Sequence, residues 1–198
     1  MHSSNTLDTA NFIKIKQFIN GLATAHGVDG VNSRVGLIQY SDSPSVRVRF
    51  EQSENLTDFT QTLVDLRQES GGNRIDLALK MANQGLFSAS SRNTVSRVAI
   101  LVTFGKQARS SPGSISLKGI AARLRSRGIK LIVVAIGSDV DAPIILEKIV
   151  EDPRNVVNVK QFNELNNEVL PLATKVCDEI GKYTLSYFYS SFCGFFWT

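Results

Sequence analysis

Three short stretches of this chain gather hydroxyl and amide oxygens where a loop opens into a helix or a buried strand ends. The first, His2-Ser3-Ser4-Asn5-Thr6, runs into a segment whose Phe12, Ile15, Phe18, Ile19 and Leu22 recur at helical spacing. The second, Ser70-Gly71-Gly72-Asn73-Arg74, is a glycine turn entering the helical pattern Ile75-Asp76-Leu77-Ala78-Leu79. The third, Ile100-Leu101-Val102-Thr103-Phe104-Gly105, closes an apolar run. Oxygens converging from loops are what hard divalent cations such as magnesium and calcium take as ligands, and such a site ordinarily includes a carboxylate to offset the charge. The ligand places of these loops hold none. The imidazole of His2 suits zinc or copper better, but one nitrogen without a thiolate or a second histidine makes no site. The expected chemistry is recognition without a bound metal or other cofactor. Asp8 and Asp76 are the nearest acids, and both fall at first helical turns, where the backbone dipole stabilises negative charge.

The elements that must position these loops alternate. After the first helix come Arg34 to Tyr40, a turn at Ser41-Asp42-Ser43-Pro44, and the alternating strand Val46-Arg47-Val48-Arg49-Phe50, whose arginines mark a sheet edge. Helices are predicted from about Thr57 to Arg67, from Ile75 to about Gln84, and from about Ser114 to Arg127, the last ended by Gly128. The apolar runs Val98 to Val102 and Ile129 to Ile136 read as parallel strands buried on both faces. Pro143 starts a short helix, Val156 to Val159 makes a last strand, and Phe162 to about Ile180 forms the closing helix. The fold class is α/β: three layers, a mostly parallel central sheet with one antiparallel edge strand, and helices on both faces. Binding in such folds happens at the carboxyl ends of the strands, where all three loops lie.

With 42% apolar and 20% charged residues among 198, the chain carries enough apolar sequence for one core. The net charge of +4 and pI near 9.2 suit an acidic partner, and Arg123, Arg125, Arg127 and Lys130 cluster near one helix end, where they could meet heparan sulfate. Cations at a helix C-terminus are also simply stabilising. Nucleic-acid binding is not expected, because no recognised motif or aromatic platform accompanies these residues. An enzyme is not expected either: no G-x-G-x-x-G or G-x-x-x-x-G-K-[ST] occurs, and neither histidine has a nucleophile at a telling spacing. His26, at a helix end, reads as structural.

Together the three loops resemble those of the von Willebrand factor type A domain, which read D-x-S-x-S, G-G-T-x-T-G-x-A-L and hydrophobic-T-D-G and form that family's metal-ion-dependent adhesion site. In register, His2 falls on the family's first aspartate, Ser4 and Thr6 on its two serines, Asn73 on the ligating threonine, and Phe104 on the third-loop aspartate. The resemblance covers roughly Ser3 to Cys177. The phrases Arg34-Val35-Gly36-Leu37-Ile38-Gln39-Tyr40-Ser41, Gly128-Ile129-Lys130 through Ala135-Ile136-Gly137, and Val159-Lys160-Gln161-Phe162 look most like the extracellular branch, in collagen VI-like chains and matrilins. It implies a secreted matrix interaction module, part of a longer chain, that binds matrix proteins such as collagens. Its partner face would be Ser4, Thr6, Asn73, Arg74, Phe104 and Lys106. The alternatives are an intracellular scaffold of the same fold and a truncated, non-functional isoform.

The resemblance also implies a central strand ahead of the first loop, and Met1 stands where that strand would be ending. Residues 1–180 are expected to form the domain without it, and 181–198 an aromatic tail. Two readings of the tail stay open: disorder, or a strand at Tyr183 to Tyr189 filling the vacant place parallel to its neighbours. At about 15 residues with interspersed serines, Tyr183 to Trp197 falls short of the roughly 20 that span a bilayer, so no membrane span is expected. Family members commonly pair a cysteine after the last helix, here Cys177, with one ahead of the first strand; Cys193 is the candidate substitute. Asn55-Leu56-Thr57 is a possible glycosylation site. No signal peptide is expected in this sequence, which opens on a polar stretch.

Overall fold

The computed structural model describes residues 1–3, 7–30, 33–88, 95–105, 116–137 and 148–181. Ser4, Thr6, Lys106, the helix expected from Pro143, the segment Tyr183 to Tyr189 and Cys193 lie outside them.

The first helix, α1 (Thr9–Ala25), starts where the Asp8 carboxylate accepts the Asn11 backbone N–H at 2.7 Å, and it buries Phe12, Ile15, Phe18 and Leu22 on one stripe. Strand β1 (Leu37–Tyr40) pairs antiparallel with β2 (Pro44–Val48). The expected strand Val46 to Phe50 is shifted towards its start, because Phe50 turns into the core, 4% exposed, as the first residue of a 3-10 turn. Helix α2 (Leu56–Asp65) is capped by Asn55, and α3 (Ile75–Met81) continues as a π-helical turn, Ala82–Leu86. That turn has a visible cause, since the Arg127 guanidinium donates to the carbonyls of Asn83 at 2.6 Å and Phe87 at 3.1 Å.

Strand β3 (Arg97–Phe104) pairs parallel with β4 (Ile129–Ile136) along its whole length, and the end of β4 pairs parallel with β5 (Val156–Val159). Between them α4 (Leu117–Ser126) is capped by Ser116 and closed by Gly128, whose φ of 73° only glycine adopts without strain. The closing helix is split: Phe162–Glu168 is 3-10 and Val169–Gly181 is α5. Asn163, Asn166 and Asn167 favour local hydrogen bonds over α-helix, while Leu165 stays fully buried.

Two apolar clusters lie on opposite faces of the sheet. One joins α1, α2 and α5 through Ile15, Phe18, Leu63 and Val176; the other joins α3 and α4 through Leu79, Ile120 and Leu124. Strand β4 serves both by alternation, with Ile132 and Val134 on one side and Leu131 and Val133 on the other. Each such fully buried side chain is worth about 1.5–3 kcal/mol of transfer free energy.

The two ladders are joined by the first three residues. The Tyr40 N–H donates to the Met1 carbonyl at 3.0 Å, the Ser3 N–H to the Tyr40 carbonyl at 2.9 Å, and the His2 N–H to the Val102 carbonyl at 3.3 Å. Backbone groups that alternate between two neighbours are those of a central strand, and the His2–Tyr40 bridge is parallel. In space the order is therefore β2, β1, Met1–Ser3, β3, β4, β5. Among the described residues no helix is long and apolar enough to cross a membrane.

Candidate functional site

Because β1, β3 and the Met1–Ser3 strand all end at one edge, the loops that follow them meet there. The His2 imidazole stacks on the Phe104 ring with centroids 4.0 Å apart and on the Tyr40 ring at 5.2 Å. Phe104 in turn meets Phe162 edge-on at 5.6 Å. Asn73 points inward: its amide donates to the Thr103 hydroxyl at 3.1 Å and to the Phe104 carbonyl at 3.0 Å. The structure thus brings His2, Asn73, Thr103 and Phe104 together, at 1%, 5%, 0% and 7% exposure.

The glycine turn is wired to both neighbouring loops. The Glu69 N–H donates to the Ser3 carbonyl at 3.1 Å and the Arg74 N–H to the Ser41 carbonyl at 3.0 Å. The Asp42 carboxylate accepts the Gly72 N–H at 2.7 Å. Gly71 sits at φ 119°, and a methyl group there would come within 2.4 Å of the Asp42 carboxylate, so the turn needs glycine on both counts. Sequence reasoning read Ser41-Asp42-Ser43-Pro44 only as a turn; its acid at a loop bordering the site was the signal to follow.

Electrostatics follow from burial. Desolvation lowers the pKa of His2 to about 4, helped by the positive amino terminus and opposed by the carbonyls of Gly72 and Phe104. Burial raises the Tyr40 phenol above its usual range, and its hydroxyl donates to the Val102 carbonyl at 3.2 Å. Burial would raise the carboxyl of Asp76, but the Arg74 guanidinium, bidentate at 2.8 Å, outweighs it and holds the acid ionised.

A divalent cation does not fit this arrangement. Among the described residues no three His, Cys, Asp or Glu side chains cluster as ligands. The neutral ring of His2 is packed face to face against Phe104, the Asn73 amide nitrogen is directed at the available oxygens, and Asp76 is committed to Arg74. Among the described residues the one uncommitted carboxylate beside the site is Asp42, which is turned to the Gly72 N–H, so the residues present suit a shaped surface better than a cage for a hard ion.

The other expected positions are placed as follows. Arg74 is half-buried at the rim, whereas Asn73 and Phe104 lie beneath the surface and would support a partner face without touching a partner. Of the basic cluster, Arg125 donates to the Ile149 carbonyl at 2.5 Å and to Glu151 at 2.9 Å, and Arg127 is held by Asn83 and Phe87, which leaves Arg123 exposed. Asn55 is exposed and caps α2, accepting the Asp58 N–H at 2.9 Å, which accounts for an asparagine there without a glycan. Cys177 is partly buried against the α1-side core. His26, 4% exposed, caps the C-terminus of α1, and burial lowers its pKa to about 4.

Comparisons agree with this fold. A sequence model of the von Willebrand factor type A domain matches residues 1–170. Human vitrin is 25% identical over 181 residues, covering 90% of this chain and 25% of vitrin. The chicken collagen alpha-2(VI) chain is 23% identical over 172 residues, covering 84% of this chain and 17% of its own, and mouse matrilin-2 is 24% identical over 182 residues, covering 88% and 18%. The chain thus spans a quarter or less of each of these relatives. Among solved structures, proximal thread matrix protein 1 from the mussel byssus, with a zinc-occupied MIDAS motif, superposes with a TM-score of 0.79 at 22% identity over 87% of this chain and 45% of that one. A von Willebrand factor type A protein from Catenulispora acidiphila reaches a TM-score of 0.63 at 16% identity, covering 88% and 40%.

Proposed function

Because the chain belongs to the von Willebrand factor type A family, we propose that it is a protein-recognition module of matrix assemblies that binds its partner without a bridging cation. The observation that carries the metal-free half is the stack of His2 on Phe104, with Asn73 turned inward beside it. The matrix half is supported by relatives named as collagen chains, matrilin-2 and vitrin. We place the module in a longer secreted, collagen VI-like chain, non-enzymatic, with collagens as the partner class. Arg74 and the loops carrying Ser4, Thr6 and Lys106 form the contact surface, shaped from below by Asn73 and Phe104. Cys177 pairs with Cys193, and Asn55 carries a glycan in secreted material. Heparan sulfate is a minor partner in this reading, because Arg125 and Arg127 already hold protein acceptors, and the exposed Arg123 is the cation of the cluster that would lead in meeting an anion.

The test is binding of the purified chain to immobilised collagens with magnesium and with EDTA. Equal binding in both, weakened by Lys106→Glu, is the expected result. Binding abolished by EDTA, or heat of magnesium binding in calorimetry, overturns the metal-free reading.

A further inference from the structure

The two helical layers carry opposite charge on their outward sides. On the layer of α1, α2 and α5, Asp8, Asp58, Asp65 and Asp178 are exposed, and none of them stands in an ion pair among the described residues. The lysines of that layer are already engaged: Lys14 donates to Asn11 at 3.2 Å, Lys16 to the Val64 carbonyl at 2.9 Å, and Lys175 to the Arg154 carbonyl. The layer of α3 and α4 is the reverse. Lys80, Lys118 and Arg123 are exposed and have no partner among the described residues, whereas Asp76 is held by Arg74. Apolar exposure follows the same division, for Ile13, Val64 and Leu170 are the exposed large apolar side chains among the described residues and all three belong to the acidic layer. They lie on adjoining elements: Lys16, three residues on from Ile13, reaches the Val64 carbonyl, and Val169, beside Leu170, lies against Gly21, about two turns from Ile13.

We propose that the acidic layer docks on the basic layer of a second copy of this chain. Opposite charge favours that pairing and sets two acidic or two basic layers against each other, so the contact joins unlike faces. Spacing agrees: Asp58 and Asp65 stand on one stripe of α2 about 10 Å apart, and Lys118 and Arg123 are about 8 Å apart along α4. Apolar surface is present on both sides, because Leu77, Met81 and Leu117 of the basic layer are half-buried and the methylene stems of Lys80 and Lys118 extend it. The net charge of +4 does not prevent approach: at about 0.1 M salt, exposed charges more than about 10 Å apart are largely screened, while facing pairs still attract. Since the layers lie on opposite faces of one sheet, each docked copy keeps an open layer, and the assembly grows as an array instead of closing as a two-fold dimer. The carboxyl-edge loops take no part in this contact, so it is independent of the collagen-binding reading.

Sedimentation velocity of the full chain in reducing buffer tests this. At about 0.05 M salt we expect the weight-average sedimentation coefficient to climb with concentration past that of a dimer, and at about 0.5 M salt to fall to that of a monomer. The double variants Lys118→Glu/Arg123→Glu and Asp58→Lys/Asp65→Lys each bring the two layers towards the same sign, and each alone is expected to weaken self-association at least about 10-fold. Mixed in equal amounts, the two should associate again, because an acidic layer then meets a basic one. A monomer at every concentration in low salt overturns the proposal, as does an assembly indifferent to salt or to both reversals, or a mixture of the two variants that stays monomeric. A plateau at the dimer overturns the contact between unlike faces. If circular dichroism shows that a reversed variant does not fold, Lys118→Gln/Arg123→Gln or Asp58→Asn/Asp65→Asn replaces it, with weakened self-association again expected and unchanged self-association overturning the proposal.

Discussion

The upper and lower ends of one strand position behave as opposites. At the top, Met1–Ser3 bond to both neighbouring strands and the rings of His2, Tyr40 and Phe104 close the space above them. At the bottom the same two strands border an apolar cavity. Polar and aromatic residues close the upper end, whereas aliphatic side chains such as Leu22, Leu79 and Leu86, together with Phe50, Phe59 and Phe87, line the lower one. The closed top and the cavity below are separate properties, carried by different residues.

The largest expected break in that contrast is Tyr40→Ala. It removes a 1% exposed ring, a stacking partner of His2 and the bond to Val102, so urea unfolding should show a loss of about 3–5 kcal/mol. Acid comes next. The unfolded chain binds protons at histidine near pH 6.5 and the folded chain only near 4 at His2 and His26, so stability is complete above 6.5 and falls as pH drops towards 4. Each histidine thus contributes ~3 kcal/mol that is lost across this range. His2→Phe keeps a ring in the stack and should halve the pH dependence in denaturation curves; an unchanged slope would show that the closed end does not sense acid. Asn73→Ala strips two buried hydrogen bonds and should cost about 1–3 kcal/mol by thermal or urea unfolding. Smallest is Ile19→Ala, at the cavity wall, where the side chain is half-buried beside existing empty volume: about 1 kcal/mol, and a loss as large as that of Tyr40→Ala would erase the distinction between the two ends.

Much of this was legible before any coordinates. The run Ile129 to Ile136 reads as a doubly buried strand because nearly every residue is apolar, and the strand has those bounds. Val156 to Val159 and the glycine end of α4 were equally readable. Three things were not. The π-helical turn after α3 depends on Arg127, 44 residues away from Asn83, and no local pattern encodes it. The closing helix looked continuous because its apolar spacing hides the tighter turn of Phe162–Glu168. At the site, the register placing His2, Asn73 and Phe104 in corresponding loops came from sequence, but their stacking and inward hydrogen bonds are tertiary, as is the role of Asp42 in bracing Gly72.

The ring of His2 lying against Phe104 also makes an acid costly at either position. Exchanging either ring alone for an acid would leave a lone buried anion facing the aromatic group that stays, a change that destabilises the fold. Each of the two rings therefore constrains which residue the other position tolerates.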